Sequence, residues 1–312
     1  MNNKKNIKID AVILWVDGND EAHISKMLPY IEDKSIIKTK KFKTRFEQVN
    51  EIQYTIDSIL KFASFIENIF VVTDNQVPHF LKDKNKKTNY DKVTIVDHQV
   101  IFKGYEKYLP TFNCRPIETC IHRIPNLSEH FIYFNDDFFL INHTKPEDFF
   151  ENGFPILRGK WLNFDENIFY KKFKKPRTGH KSIQQNAAKL LGFDKYYNFK
   201  HTPHPMRKST FEKFFKANEA VFINNIKYRF RDKSQFTPQG LANHLEIKNK
   251  TCVFKDNLQL IYFRSYKKPL LWYKIKLKIA SKGKLFLGLQ SLDLAPKNIR
   301  DYILDWLDNR IK

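Results

Sequence analysis

Ile9-Asp-Ala-Val-Ile-Leu-Trp-Val16 runs without a break into Asp17-Gly18-Asn19-Asp20. The first eight residues are almost continuously apolar and rich in β-branched side chains, the pattern of a strand buried on both faces. The four that follow are a turn signal. An acidic turn at the carboxyl end of a buried strand lies where open α/β sheets bind their ligands. The same combination recurs along the first half of the chain. Ile66–Thr73 reads as a strand closed by Asp74-Asn75, and Val93–Val96 as one closed by Asp97-His98. His130–Phe134 reads as a strand closed by Asn135-Asp136-Asp137. Between them, Glu47–Phe62 carries Val49, Ile52, Ile56, Ile59 and Leu60 at helical spacing, and Pro116–Ile124 suits a short helix with proline in its first turn. Strands alternating with helices predict an α/β fold with a parallel or mixed sheet core.

After about Pro146 the rhythm changes. Lys, Phe and Pro dominate residues 150–210, strand signals thin out, and helices are expected at Ser182–Leu191, Ser209–Ala217 and Lys297–Arg310. The expected organisation is therefore an α/β core over residues 1–145 with a more helical second half, 146–312, packed on it and completing the site.

Composition sets outer bounds. The 312 residues are 42% hydrophobic and 15% aromatic, enough for a substantial core. Only the polar stretch Asn2–Asn6 reads as disordered. No apolar run approaches the about 18–20 residues that cross a bilayer, and no secretory signal is visible at the N-terminus, so a cytoplasmic protein is expected. Cys114, Cys120 and Cys252 are few, odd in number and not at metal-ligand spacing, which suits a reducing compartment. The formal charge of +21 calls for a polyanionic partner: nucleic acid, anionic membrane, phosphorylated nucleotide or anionic polymer. A Lys/Asn-rich coding bias, visible in Lys82-Asp-Lys-Asn-Lys-Lys87, explains the excess equally well, so charge alone selects no function.

Four constellations carry chemistry. Asp17 and Asp20 could hold a hard cation through oxygen; alternatively they cap the local backbone. Asp136 and Asp137 sit between Phe134 and Phe138-Phe139. Two adjacent charges in an apolar setting are unfavourable without a compensating cation, so a metal-bound pair is expected over the alternative, a helix N-terminus. His201-Thr-Pro-His204-Pro-Met-Arg207 and Arg229-Phe-Arg231-Asp232 bring imidazole and guanidinium together, a combination suited to phosphoryl groups. Asn113-Cys-Arg115 precedes the short helix and could meet a sugar or phosphate. A glycine-rich phosphate loop, a Ser-His-Asp signature and zinc spacing are all missing, and 9 glycines are few for a dinucleotide fold.

At these same residues the chain resembles the Stealth family. Ile9–Asp20 is similar to its first signature block. Arg45–Ile52 through Val72–Pro78, Leu109–Asn113, Ile117-Glu118 and His122–Pro125 to Phe131–Asp137 resemble the second. Leu191–Asp232 resembles the third, with His204-Pro205 and Arg229-Phe-Arg231 as landmarks, and Phe286–Pro296 the fourth. In the fourth block Leu289-Gln-Ser-Leu-Asp293 departs from the expected pattern, and Asp293 is left out of the core site. The resemblance implies a Rossmann-like core, a divalent cation (Mg²⁺ or Mn²⁺) and transfer of a hexose-1-phosphate from a UDP-sugar to a capsular polysaccharide acceptor, with release of UMP. It implies an acidic set of Asp17, Asp20, Asp136 and Asp137, the last two as metal ligands. His204 is the further candidate base or phosphate contact, Arg207, Arg229 and Arg231 are phosphate contacts, and Asn113 and Arg115 are donor contacts.

The rival enzyme reading is a metal-dependent glycosyltransferase that releases UDP. Nucleic-acid binding is disfavoured, because the basic residues are scattered and form no known motif. Lys267–Lys284 interleaves Leu270, Leu271, Trp272, Ile275, Leu277 and Ile279 with lysines, so it reads either as a packed core helix or as a peripheral contact with the inner face of a membrane.

Overall fold

The computed structural model of the chain describes residues 7–32, 50–82, 89–168 and 179–312. The expected disorder at 2–6, the helix start at 47–49, residues 45–49 of the second block and most of the 82–87 lysine run lie outside them. Strand β1, Ile9–Leu14, is buried over its first five residues. It stops two residues short of the sequence expectation, although the Trp15 amide still donates to the Val72 carbonyl at 3.0 Å. The one acid inside it, Asp10, is fully buried, and its Oδ2 accepts from the Ser128 amide at 2.7 Å.

Strands β2 (Ile66–Thr73), β3 (Val93–Asp97) and β4 (His130–Asn135) follow as the sequence predicts. The five-stranded sheet has the order His204–Arg207, β4, β1, β2, β3. Strands β2 and β3 pair in parallel, Ile69 opposite Val93 through Thr73 opposite Asp97. His204–Arg207 pairs antiparallel to β4, with His204 opposite Tyr133. The sheet is therefore mixed, and helices accompany it in α/β fashion. Six helices of eight or more residues are described after residue 146, against one before it, so the second half is the more helical.

By compactness the chain divides into two units that interleave along the sequence. One comprises Met1–Asp10, Gln99–Tyr133 and Pro146–Leu258; the other comprises Ala11–His98, Phe134–Lys145 and Gln259–Lys312. Position 145/146, where the sequence rhythm changes, is one of five points at which the chain passes from one unit to the other.

In the second unit, strand β5 (Phe138–Leu140) pairs antiparallel with Phe286–Leu289, which pairs in parallel with Leu260–Phe263. Gly288 is obligatory here: a Cβ on it would come within 2.7 Å of the rings of both Phe138 and Tyr262. Helix Glu51–Phe62 lays its apolar stripe, Ile52, Ile56 and Ile59, into the core. It also buries a polar stripe, Glu51, Thr55 and Ser58. The Thr55 hydroxyl donates to the Asp136 carbonyl at 2.6 Å, and Ser58 Oγ accepts from the Leu140 amide at 3.0 Å. That stripe stitches the helix to the Asp136–Leu140 segment. In the first unit, Gly159–Asn163 and Lys195–Phe199 form an antiparallel pair, and helix Cys114–Cys120 starts at Asn113, whose side chain caps it.

Candidate active site

Asp17 with Asp20, Asp74, and Asp136 with Asp137 stand in three different settings within the second unit. Asp17 and Asp20 take the backbone-capping role. Asp17 Oδ1 accepts from the Asn19 amide at 2.9 Å, and Gln76 grips the Asp17 backbone through both its amide and its carbonyl. Asp20 caps helix Glu21–Met27 by accepting from the His23 amide at 2.9 Å. Asp74, after β2, is a compensated carboxylate. His23 Nδ1 lies 3.4 Å from one oxygen and Lys26 Nζ 3.1 Å from the other. The His23 hydrogen bond leads in pulling Asp74 down to about 2.

Asp136 and Asp137 are the opposite case. They form the two-residue turn between β4 and β5, so they do not cap a helix. Both are half-buried. Desolvation lifts Asp136 to about 6. It also lifts Asp137 well above its ordinary value, with the charges of Asp136 and then Glu51 adding to the effect. The Asp137 carbonyl is tied to the Leu289 amide at 3.0 Å, so the turn is fixed from both sides. Around it stand groups that feel its charge. Burial raises the Tyr262 hydroxyl to about 12, with Asp137 next in weight. The buried Tyr266 hydroxyl is raised by burial first and then by Glu51, Asp137, Tyr273 and Asp293. It finds no hydrogen-bond partner among the described residues.

Glu51 and Tyr266 therefore belong to the neighbourhood of the acidic turn, with Asp293 acting on the Tyr266 hydroxyl, and none of the three is marked by a site motif in the sequence. For Glu51 a signal existed: with Thr55 and Ser58 it puts a polar stripe on a helix face that is otherwise core. Tyr266 carries no motif, and Asp293 stands in a block that departs from the family pattern.

In the first unit the basic and amide groups are gathered around helix Cys114–Cys120. Asn113, buried, donates through Nδ2 to Gln235 Oε1 at 2.8 Å and to the Phe230 carbonyl at 3.1 Å, while its Oδ1 accepts from the Arg115 amide. Arg115 Nη1 donates to the Asp232 carbonyl at 2.7 Å. The 229–235 segment is thus bolted to the helix start by the two residues expected to hold the donor. Arg231 is exposed, and its Nη2 lies 3.8 Å from Cys114 Sγ. Arg229 is half-buried, and its carbonyl accepts from the Phe112 amide at 2.8 Å. Beneath them Glu118 is buried and raised by desolvation, although the Tyr133 hydroxyl donates to it at 2.9 Å. His204 is buried, with Phe199 edge-on at 4.9 Å. Burial, then His201, lowers it to about 3, so its ring is neutral at ordinary pH.

Arg207, expected as a phosphate contact, is engaged in an ion pair. Its guanidinium grips Glu246 at two points, Nε–Oε1 at 3.0 Å and Nη2–Oε2 at 2.5 Å. Glu246 is buried and also accepts from the Thr210 and Thr251 hydroxyls. A guanidinium fork already filled by a buried carboxylate is a structural pair. The structure therefore brings Asn113, Arg115, Arg229 and Arg231 together, and sets Arg207 in a separate ion pair.

Among the described residues no group of three or more His, Cys, Asp and Glu is placed to hold a metal ion. The Asp136–Asp137 donor set nevertheless fits a hard divalent cation. It offers two adjacent carboxylates whose proton affinity is raised by desolvation, and Mg²⁺ is commonly held by one or two carboxylates, with waters and substrate phosphates completing its shell.

The amino-acid sequence has relatives that share these segments. Family models described as Stealth protein CR1, conserved region 1, and Stealth protein CR2, conserved region 2, match residues 8–35 and 45–156. The capsular polysaccharide phosphotransferase LcbA of Neisseria meningitidis is 31% identical over 278 residues, covering 86% of this chain and 73% of that protein. The capsular polysaccharide phosphotransferase cps1A of Actinobacillus pleuropneumoniae is 34% identical over 254 residues, covering 78% of this chain and 65% of that protein. The chain belongs to the Stealth family. It spans 60% to 65% of the length of several curated relatives that it matches. Among solved structures, the galactosyltransferase LgtC, in complex with donor and acceptor sugar analogues, aligns with a TM-score of 0.49 at 10% identity over 97% of this chain and 96% of its own.

Proposed function

We propose that this protein is a capsular polysaccharide phosphotransferase. It moves a sugar-1-phosphate from a UDP-sugar to a hydroxyl of a capsular polysaccharide acceptor, releases UMP and leaves a phosphodiester. The observation that carries the reading is the Asp136–Asp137 turn: two half-buried carboxylates raised by desolvation, lying inside the matched family region. A protein does not hold adjacent acids in this state for stability, because each suppresses the ionisation of the other. The curated relatives carry the name of this activity.

In this reading Asp136 and Asp137 hold a divalent cation, Mg²⁺ or Mn²⁺, which when bound supplies charge neutralisation at the phosphate oxygens. Arg231, exposed and with its guanidinium fork facing no carboxylate among the described ion pairs, takes non-bridging phosphate oxygens. Arg229 assists it. Asn113 and Arg115 position the 229–235 segment, and through it Arg231, more than they touch the donor. His204 is neutral and can accept the proton of the attacking hydroxyl, although its low basicity makes it the weaker of the two classes of candidate base. Asp17 and Asp20 shape the turn after β1 that carries the first family match. Positioning and electrostatic stabilisation then do most of the work, as is usual in phosphoryl transfer.

The test is a reaction with purified protein, a panel of UDP-sugars, Mg²⁺ or Mn²⁺ and capsule oligomers. Released nucleotide is read by chromatography and the product by phosphorus NMR. UMP with a phosphodiester and an unchanged anomeric configuration is expected. UDP with a phosphorus-free product would replace this reading with the glycosyltransferase one.

A further inference from the structure

The helix Leu270–Ala280 buries only one side. Tyr273, Leu277 and Ala280 face the core of their own unit. On the other side Leu271, Trp272, Ile275 and Ile279 stand 65%, 37%, 49% and 56% exposed. At 100° per residue these four fall within one stripe about 100° wide. Lys274 and Lys278 line one edge of the stripe and Lys276 the other, and all three are exposed. Lys276 Nζ lies 5.6 Å from the Trp272 ring centre, so its stem follows the apolar surface while its charge stays outside. The charge bias extends beyond the helix. Between Asp256 and Asp293 the sequence has eight Lys and Arg residues and not one acid.

An apolar stripe edged on both sides by lysines, on a helix of 11 residues, is too short to cross a bilayer and has the pattern of a helix that lies in the interface. No helix among the described residues is long and apolar enough to span a membrane. A core helix would bury Leu271 and Ile279 instead of exposing them. A protein partner would need an acidic rim to answer the lysines, whereas a leaflet rich in anionic lipid supplies both the apolar bed and the negative surface with one material.

We propose that the Leu270–Ala280 helix docks this protein on an anionic lipid surface, inserting Leu271, Trp272, Ile275 and Ile279 between head groups while Lys274, Lys276 and Lys278 meet lipid phosphates. The docking is independent of the reaction proposed above and is measured without substrate. The whole chain is floated with vesicles of phosphatidylcholine alone or with about one-third phosphatidylglycerol, at about 0.1 M and 1 M salt, since screening shortens from about 10 Å to about 3 Å over that range. Tenfold or greater enrichment on the anionic vesicles is expected, weakened at high salt. The pairs Leu271→Asp with Ile275→Asp and Lys274→Glu with Lys278→Glu should each cut it by tenfold or more with an unchanged circular-dichroism melt. Should the aspartates unfold the chain, Leu271→Ser with Ile275→Ser gives the same readout. Quenching by brominated lipid that disappears in Trp272→Phe places the helix itself in the interface. Failure to float with anionic vesicles, or wild-type flotation of the variants, overturns the proposal. So does a concentration-dependent dimer, seen by light scattering, that the Leu271/Ile275 variant dissolves, because a second copy would then be the occupant.

Discussion

The acidic turn Asp136–Asp137 and the guanidinium pair Arg207–Glu246 are both unusual concentrations of charge, yet they are built on opposite principles. Glu246 is buried but fully answered, by a two-point guanidinium and two hydroxyls. Asp136 and Asp137 are less buried, yet they repel one another, and Glu51 adds to the repulsion. Burial therefore does not separate the two cases. Compensation does. Asp74, answered by His23 and Lys26 and pulled down to about 2, lies on the compensated side of that line.

The largest effect expected from this contrast is on activity. Asp136→Asn and Asp137→Asn should each lower kcat by about 10³-fold, close to 4 kcal/mol of transition-state stabilisation, while the fold persists. EDTA should abolish turnover in the wild type. Full activity in EDTA, or in both Asn variants, would remove the contrast between the two sites. On the guanidinium side two arginines should behave differently. Arg231→Lys should lose about 10²-fold in kcat, because Lys lacks the fork. Arg207→Met should leave kcat unchanged but destabilise the protein by about 3 kcal/mol, since it strands a buried carboxylate. A kcat loss in Arg207→Met without a change in melting would return Arg207 to the active site.

A smaller effect concerns pH. Asp136 titrates near 6 in the folded protein, against an ordinary value of 3.8. Below about 4 the group is protonated in both folded and unfolded chains, so it costs nothing. As pH rises from about 4 through 6, the unfolded chain releases its proton more readily, and the folded state loses relative stability. Asp136→Asn should therefore be more stable than the wild type at about pH 7 by about 1–2 kcal/mol, after allowance for solvent access, and equal to it near pH 4. Mg²⁺ should close that gap in wild type alone; a gap of the opposite sign would mean that the turn is already compensated. The smallest effect belongs to Tyr266→Phe. Removing a buried hydroxyl that has no partner among the described residues should leave the melting temperature level or slightly raised, by less than about 1 kcal/mol. A large destabilisation would show that the hydroxyl is bonded within the fold.

Much of this was legible in the sequence, and the reason is periodicity. Strand β2 is found at Ile66–Thr73 as expected, and β3 and β4 run one residue beyond their expected ends. Helices expected at Ser182–Leu191, Ser209–Ala217 and Lys297–Arg310 occur at His180–Leu190, Lys208–Ala217 and Lys297–Ile311. Each of these has an unbroken apolar run or a one-sided stripe that a single local period can report. Strand His204–Arg207 was not foreseen, because four residues containing His, Pro and Arg show no alternation. It exists because β4 offers an antiparallel edge register to it.

The site divides along the same line. The sequence by itself determined that acids close the strands, that Asp136 and Asp137 stand adjacent among phenylalanines, and which family the signature blocks resemble. All of these are matters of nearest neighbours along the chain. It could not say which acids are compensated, because the answers come from far away in sequence. His23 and Lys26 reach Asp74 across about fifty residues, and Arg207 reaches Glu246 across 39. Tyr266 was brought near Asp137 by the pairing of Leu260–Phe263 with Phe286–Leu289, and of that strand with β5. Only the tertiary structure decided these partnerships, because a charge is assigned its energy by whatever lies within a few ångströms of it in space, and sequence order does not fix that set.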